Sequence, residues 1–172
     1  VTGVQTCALP ILATAQVALP HHDEVAIAVH IHNGIHKGVS GRLGRDQELI
    51  ALRGRDLVDA LENGVSKHPA LEGRFPQVSG VAFAFDPSRP PGSRVLVDSV
   101  RVCTGGVAGR GGGADSPTAE PLDLDREYTV VTKEYLSRGK DGYDAFARGR
   151  VVCPAHDCPA IMTVMRNFFK VL

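Results

Sequence analysis

The chain has 172 residues, of which 43% are hydrophobic and 22% charged, the composition of an ordinary globular domain. Lys and Arg together number 19, as do Asp and Glu, so the formal net charge at neutral pH is zero. This balance gives no electrostatic reason to expect DNA or RNA as a partner. No apolar run approaches the roughly 20 residues that a membrane-spanning helix requires, so no membrane span is predicted.

The first eleven residues resemble translated non-coding DNA. Residues 1–11, VTGVQTCALPI, are similar to the translation of a common sequencing-library adapter. A signal peptide is the alternative, because residues 7–19 are fairly apolar, but no basic residue precedes them and Pro10 interrupts the run. We therefore expect residues 1–11 to be an artefact, and the reading frame to be a fragment of a longer protein.

Residues 12–48 are poorly interpretable, and non-native sequence is an open explanation for them. The β-branched residues of 25–31 (VAIAVHI) indicate a strand. Five histidines occur nearby, and His30 and His32 would lie on one strand face, where imidazoles are able to bind metal. No carboxylate or cysteine at a suitable spacing completes a site, so no metal ligand is predicted. The histidines are His21, His22, His30, His32 and His36.

One helix stands out in the part of the chain that follows. Leu57, Leu61 and Val65 recur at a spacing of four, which predicts an amphipathic helix beginning near Asp56. The pair Asn63-Gly64 is expected to weaken the end of this helix.

Four segments predict strands: 49–52, 81–85, 94–102 and 127–132. The second and third are joined by the turn sequence DPSRPPG and are expected to form an antiparallel hairpin. Residues 104–121 are rich in Gly, Ser and Pro and match no P-loop or dinucleotide fingerprint, so we expect a flexible insertion. An amphipathic helix is predicted over 159–169. Without βαβ regularity, the class predicted for residues 49–172 is α+β, with a mixed or antiparallel sheet and flanking helices.

The segment Cys153–Cys158, CPAHDC, contains four residues of types that bind zinc. A structural zinc site needs four ligands held tetrahedrally, yet two of these residues are sequence neighbours. The two prolines favour an exposed turn instead, and we predict no zinc site. A disulfide between the two cysteines is an alternative that requires a secreted protein.

Two blocks of the chain carry a family resemblance: DLVDALENGVSKHPALEGRFPQVSG (56–80) and YLSRGKDGY (135–143). Together they resemble the C-terminal, substrate-recognising domain of 5'-nucleotidases, from about Leu49 to near the C-terminus. The phrases ALENGVSKHPALEGRFPQVSG and DPSRPPGSRV look most like the fungal branch. The resemblance implies the specificity domain of an enzyme that hydrolyses nucleotide phosphomonoesters in nucleotide catabolism, with a nucleotide or nucleoside as its ligand.

The resemblance also implies substrate-binding residues. Tyr135 would stack on the nucleobase and Asp141 would accept hydrogen bonds from the ribose hydroxyls, which suits an aromatic face and an ionised carboxylate. Residues 135–143 are predicted to form a loop, in which Gly139 and Gly142 would allow the backbone turn that aims Asp141. The family pattern is Gly-Gly-Asp-Gly, and Lys140 replaces its second glycine, which would disturb the loop if that position needs a positive φ. The alternative is that Tyr135 is a packed strand-end aromatic and Asp141 a turn former.

The catalytic half of such an enzyme is not recognisable. The resemblance implies two divalent ions of the Zn or Mn type in an N-terminal metallophosphoesterase domain, held by Asp-x-His and Gly-Asn-His motifs that we do not find. No catalytic residue, metal ligand or cofactor is therefore assigned here, and the chain alone is expected to be inactive. A related hydrolase of cyclic nucleotides or nucleotide sugars, a non-catalytic nucleoside-binding module, and a metal-binding protein built on the histidines stay open. Base preference, cellular location and oligomeric state are not predicted.

Overall fold

The computed structural model describes residues 3–5, 26–31, 46–70, 72–104 and 118–160, together with Thr163 and Arg166. These residues form strands and helices in an α+β arrangement, which confirms the predicted class. No helix among them is long and apolar enough to cross a membrane. The elements are β1 (Gly3–Gln5), β2 (Ala26–Ile31), β3 (Gln47–Arg53), α1 (Gly54–Val65), β4 (Pro76–Ser79), β5 (Val81–Phe85), β6 (Arg101–Thr104), β7 (Thr118–Pro121), β8 (Glu127–Lys133), α2 (Glu134–Ser137), α3 (Asp144–Ala147) and β9 (Arg150–Cys153).

The larger sheet is mixed and has the strand order β4-β2-β8-β3-β9. β2 pairs with β8 in parallel, and the other pairs are antiparallel. Six of the seven residues of β3 are buried, because this strand lies inside the sheet between β8 and β9. The strands predicted at 49–52 and 127–132 are confirmed within β3 and β8.

The smaller sheet is antiparallel, with the order β1-β5-β6-β7. Val81, Phe83 and Phe85 on β5 are 0%, 2% and 4% exposed, and the two alanines between them are less buried. This alternation is that of a strand with one face against the core, as predicted.

The strand predicted at 94–102 is wrong over much of its length. Val95 forms a single bridge to Phe85, a 3₁₀ turn follows at Val97–Ser99, and only Arg101 begins a strand, β6. The hydroxyl of Ser99 explains the interruption. It accepts a hydrogen bond from the Ala84 backbone N–H at 2.9 Å, a donor of β5 that a continuous second strand would otherwise satisfy.

The insertion predicted at 104–121 is too wide at both ends. Thr104 belongs to β6, and Thr118–Pro121 form β7, which pairs with β6 in antiparallel register. The rest of the predicted insertion, 105–117, lies outside the described residues, so the prediction is untested there.

Helix α1 buries the predicted stripe. Leu57, Leu61 and Val65 are each 1% exposed or less, within one core shared with both sheets. The helix includes Asn63-Gly64 and ends at Val65, directly after that pair, so the expected weakening of its end stays a prediction.

A buried arginine closes the C-terminal end of α1. Arg94 is 8% exposed, and the two protons of its Nη1 are shared among the carbonyl oxygens of Val65 (2.7 Å), Ser66 (3.0 Å) and His68 (2.9 Å). The last carbonyls of a helix have no intrahelical donor, so this guanidinium replaces the missing partners. It also ties α1 to the segment after β5.

Several expectations fall partly outside the described residues. The strand predicted at 25–31 is present as β2, whereas four of the five histidines of that region are not described. The helix predicted at 159–169 is described at Pro159, Ala160, Thr163 and Arg166 alone. Within residues 1–11, only Gly3–Gln5 are described, as β1. The histidines outside the described ranges are His21, His22, His32 and His36.

Candidate functional site

The segment Tyr135–Tyr143 begins directly after the central strand β8. It was predicted to be a loop, and the structure corrects this: α2 occupies its start, a 3₁₀ turn covers Lys140–Gly142, and α3 follows. The hydroxyl of Ser137 donates its one proton to the buried carboxylate of Glu48 on β3 and also lies 2.9 Å from the Glu134 carbonyl oxygen. These contacts fix α2 on the sheet.

Three residues of this segment have left-handed backbones. The φ angles are 77° at Gly139, 56° at Asp141 and 78° at Gly142. Asp141 is the one non-glycine residue with positive φ among those described, and aspartate is among the side chains that tolerate this region. Lys140 has no positive φ, so its replacement of a family glycine places no strain on the turn.

Tyr135 and Asp141 contact each other. The Tyr135 hydroxyl donates to Asp141 Oδ1 at 3.0 Å, and this hydrogen bond to a carboxylate raises the pKa of the Tyr135 phenol. Tyr135 is 45% exposed, whereas most aromatic side chains of the described residues are buried. It is therefore not a packed strand-end aromatic, and its ring is accessible to a ligand.

The turn is supported from behind by α1. Asn63 Nδ2 donates to the backbone oxygen of Asp141 at 3.1 Å, and Asn63 Oδ1 lies 3.5 Å from Arg74 Nη1. Arg74 Nε in turn pairs with Glu72 Oε2 at 2.8 Å. The helix, the 72–76 segment and the turn thus meet at one side-chain amide.

Tyr143 anchors the far end of the segment. Its hydroxyl donates to the Arg74 carbonyl at 2.7 Å, and its ring stacks on Phe146 with centroids 5.1 Å apart. Burial raises the pKa of the Tyr143 phenol well above its ordinary value, so the group stays neutral. A Cβ on Gly64 would lie 2.7 Å from Pro76 Cδ and 3.0 Å from this hydroxyl, so glycine at that helix position leaves room for both residues.

The cysteine segment forms a turn. Within the described ranges both cysteines are free thiols, and Cys158 Sγ lies 3.3 Å from the Cys153 carbonyl oxygen. Two residues of this segment are exposed, His156 and Asp157, and their side chains pair with each other at 3.6 Å. No group of three or more His, Cys, Asp or Glu side chains among the residues described is placed to hold a metal ion. These residues do not fit a two-metal centre, and we derive no metal-assisted step from them.

Comparison with known protein families matches the part of the chain that holds the Tyr135–Tyr143 segment and its supporting residues. The model of the 5'-nucleotidase C-terminal domain matches residues 47–148. The chain belongs to this family. The matched range includes α1, β8, the whole Tyr135–Tyr143 segment and the supporting Asn63.

Relatives of this 5'-nucleotidase C-terminal domain are much longer proteins. A snake venom 5'-nucleotidase of Macrovipera lebetinus is 34% identical over 96 residues, which is 56% of this chain and 21% of that protein. The human 5'-nucleotidase is 33% identical over 96 residues, which is 56% of this chain and 15% of that protein. The chain thus spans about a fifth of such relatives or less.

Solved structures agree with this assignment. The 5'-nucleotidase precursor of Thermus thermophilus superposes with a TM-score of 0.61 at 30% identity, covering 84% of this chain and 28% of its own. The NAD nucleotidase of Haemophilus influenzae gives a TM-score of 0.57 at 18% identity over 87% of this chain and 27% of its own, a likeness of fold alone.

The support behind the site was not predicted from the sequence. The predicted residues Tyr135, Gly139, Asp141 and Gly142 lie together in one segment, but Asn63 was not among them. One signal was present. An Asn-Gly pair is a poor choice within a strongly amphipathic helix, and it indicates that those positions serve something other than helix stability.

Proposed function

We propose that this domain binds the nucleoside part of a nucleotide, as the specificity domain of a 5'-nucleotidase. The observation that supports the proposal is the pairing of an exposed Tyr135 with Asp141 at 3.0 Å, on a turn held by left-handed residues. An aromatic face and an adjacent carboxylate are the two groups that a base and a ribose diol require.

Each residue would have a defined role. Stacking of a base on the Tyr135 ring is worth about 1–3 kcal/mol and tolerates different bases. The ionised Asp141 is an acceptor without donors, which suits the two hydroxyl donors of a ribose. Gly139 and Gly142, with φ of 77° and 78°, reverse the chain on either side of Asp141 so that its carboxylate lies beside Tyr135.

The chemistry of the intact enzyme is a wider part of the proposal. We infer that it releases phosphate from nucleotides in nucleotide catabolism, and that two divalent ions in a separate N-terminal metallophosphoesterase domain supply the activated water. The present chain would contribute orientation and specificity, and would not turn over substrate alone. The phrases at 60–80 and 86–95 support placing it in the fungal branch.

The binding proposal is tested by titrating the isotope-labelled full chain with adenosine. We expect weak binding, with chemical-shift changes centred on Tyr135 and Asp141. Shifts confined to other residues, or none at saturating adenosine, would refute the assignment of the site.

The inactivity of the chain is tested separately. Phosphate release from AMP is measured with added Zn²⁺ or Mn²⁺, and the expected rate equals that of buffer. Turnover above buffer would show that the chain carries a catalytic centre of its own.

A further inference from the structure

The side chain of Asn63 joins two parts of the chain that are distant in sequence. Its Nδ2 donates to the Asp141 backbone oxygen at 3.1 Å, across 78 positions. Its Oδ1 faces Arg74 Nη1 at 3.5 Å. Since Arg74 is a donor only, it fixes which side of the amide presents oxygen and which presents the NH₂ group.

The turn is packed tightly against this amide. A Cβ added to Gly142 would lie 2.7 Å from Asn63 Oδ1 and 3.5 Å from Arg74 Nη1. The backbone of Gly142 therefore lies too close to the amide for a Cβ to fit between them. The Asn63 side chain therefore contacts two successive residues of the turn: it donates a hydrogen bond to Asp141 and packs against the backbone of Gly142.

These contacts act where the backbone needs support. Asp141 holds φ at 56°, a conformation that L-residues avoid. The Asn63 hydrogen bond is made to the carbonyl of Asp141 itself, so it orients the peptide plane that follows the left-handed residue. Holding this carbonyl in place restricts the backbone of Asp141, from which the carboxylate side chain projects.

We propose that Asn63 is a positioning residue of the nucleoside site, which holds the Asp141 carboxylate in the direction of the ribose hydroxyls, with Arg74 orienting the amide. The inference rests on the proposed function, and it assigns to α1 a part in ligand recognition beyond scaffolding. Asn63 does not touch the ligand. It acts through Asp141.

A role in recognition is separable from a role in folding. The packing of α1 comes from its buried apolar stripe, with Leu57 and Leu61 at 0% and 1% exposure. Asn63 is only half-buried and lies off that stripe. The domain should therefore fold without its side chain, which makes the substitution informative.

The test compares two ligands on three forms of the full chain: wild type, Asn63→Ala, and the exposed α1 control Asp59→Ala. Dissociation constants are measured by calorimetry for adenosine and for 2',3'-dideoxyadenosine, which lacks both ribose hydroxyls. We expect Asn63→Ala to weaken the binding of adenosine roughly tenfold, which is the effect of losing one hydrogen bond from a ribose hydroxyl to the charged Asp141 carboxylate. The affinity for the dideoxy ligand should change less than about twofold. Asp59→Ala should change neither.

A second variant separates the donor from the acceptor of the amide. Asn63→Asp keeps an oxygen toward Arg74 but cannot donate to the Asp141 carbonyl, so it should lose adenosine affinity as Asn63→Ala does. Equal weakening of both ligands in Asn63→Ala, or no weakening of adenosine, would overturn the inference. Wild type that fails to bind adenosine would instead overturn the proposed function.

The backbone conformation of Asp141 has a readout that needs no ligand. The three-bond coupling between the α proton of Asp141 and the amide nitrogen of Gly142 reports the ψ angle of Asp141, which sets the peptide plane that Asn63 contacts. It should change in Asn63→Ala and stay constant in Asp59→Ala. An unchanged coupling would show that Asp141 holds its conformation without Asn63, and would end the inference whatever the binding data show.

Discussion

The phenol of Tyr135 and the carboxylate of Asp141 are hydrogen-bonded at 3.0 Å, so the phenol occupies one acceptor position of the carboxylate that is proposed to bind the ribose. A ribose hydroxyl that donates to Asp141 must either take the place of the phenol or use another acceptor position of the carboxylate. The ring of Tyr135 is not affected by this exchange, because only its hydroxyl is engaged. Substitutions at Tyr135 therefore distinguish the stacking of a base on its ring from the effect of its hydroxyl on the Asp141 carboxylate.

Replacing Tyr135 with alanine should weaken adenosine by about 5- to 150-fold, since it removes a stacking surface worth about 1–3 kcal/mol. Replacing it with phenylalanine keeps the ring and removes the phenol's hydrogen bond to Asp141 Oδ1, so adenosine should bind as tightly as to wild type or more tightly. Calorimetric titration of both variants measures the difference. If Tyr135→Phe is as weak as Tyr135→Ala, the hydroxyl itself contacts the ligand and the stacking role is wrong.

At Asp141, the choice of substitution separates binding from backbone strain. Asn and Asp both tolerate left-handed φ, so Asp141→Asn should keep the free energy of unfolding, whereas Asp141→Ala should lose about 1–2 kcal/mol. Both changes remove the carboxylate and should weaken adenosine. Urea denaturation gives the stability, and titration gives the affinity. Equal stability of the two variants would mean that the φ of 56° is not a constraint on this position.

The buried Arg94 should matter more for stability than any exposed arginine. Arg94→Ala leaves the carbonyls of Val65, Ser66 and His68 without this donor, and we expect a loss of about 3 kcal/mol in the free energy of unfolding. Arg55, whose side chain is 55% exposed and pairs with Asp125, is the matched control, with an expected loss below about 1 kcal/mol for Arg55→Ala. Similar denaturation midpoints for the two variants would contradict the capping role of Arg94.

The buried thiol of Cys158 makes the fold sensitive to high pH. Burial raises the pKa of this thiol to about 12 from its ordinary value of 9.0, so the folded chain keeps a proton that the unfolded chain loses. The corresponding stability is complete below pH 9 and is lost as pH rises toward 12. The melting temperature should therefore fall as pH rises from about 9 toward 12, and fall less in Cys158→Ala.

Two comparisons make that measurement specific. Cys153→Ala, at the half-buried neighbouring cysteine, should keep most of the alkaline fall of wild type. An unchanged fall in Cys158→Ala would assign the effect to another group. Tyr143 is the alternative source, because burial also raises the pKa of its phenol.

Local sequence pattern could predict the elements that pack against the core as a whole, because their formation does not depend on one particular neighbour. Val81, Phe83 and Phe85 alternate, and the stripe of α1 repeats every four residues, whatever the exact neighbours are. The 3₁₀ turn at Val97–Ser99 could not be predicted in this way, because it depends on Ser99 meeting Ala84 across 15 positions. β7 likewise has little strand signal of its own and exists through its pairing with β6.

The candidate site likewise has a part that the sequence predicted and a part that only the structure shows. Tyr135 and Asp141 were named through a resemblance carried by a short contiguous segment, and the structure brings them within hydrogen-bond distance. Asn63 lies in the other family block, and nothing local connects it to Asp141. Only the fold shows that the two blocks of the resemblance touch. Whether Tyr135 and Asp141 bind a nucleoside stays a prediction.

The position of β8 has a consequence for the kinetics of binding. β8 is held by β2 on one side and β3 on the other, and the ladder continues into α2 through the Glu134 N–H, which donates to the Asp46 carbonyl at 2.8 Å. The base of the Tyr135 segment therefore cannot slide without breaking hydrogen bonds on both sides. What remains movable is the exposed Tyr135 side chain, which rotates in picoseconds to nanoseconds. A nucleoside should accordingly associate in a single fast phase in stopped-flow fluorescence, with no slow rearrangement after encounter.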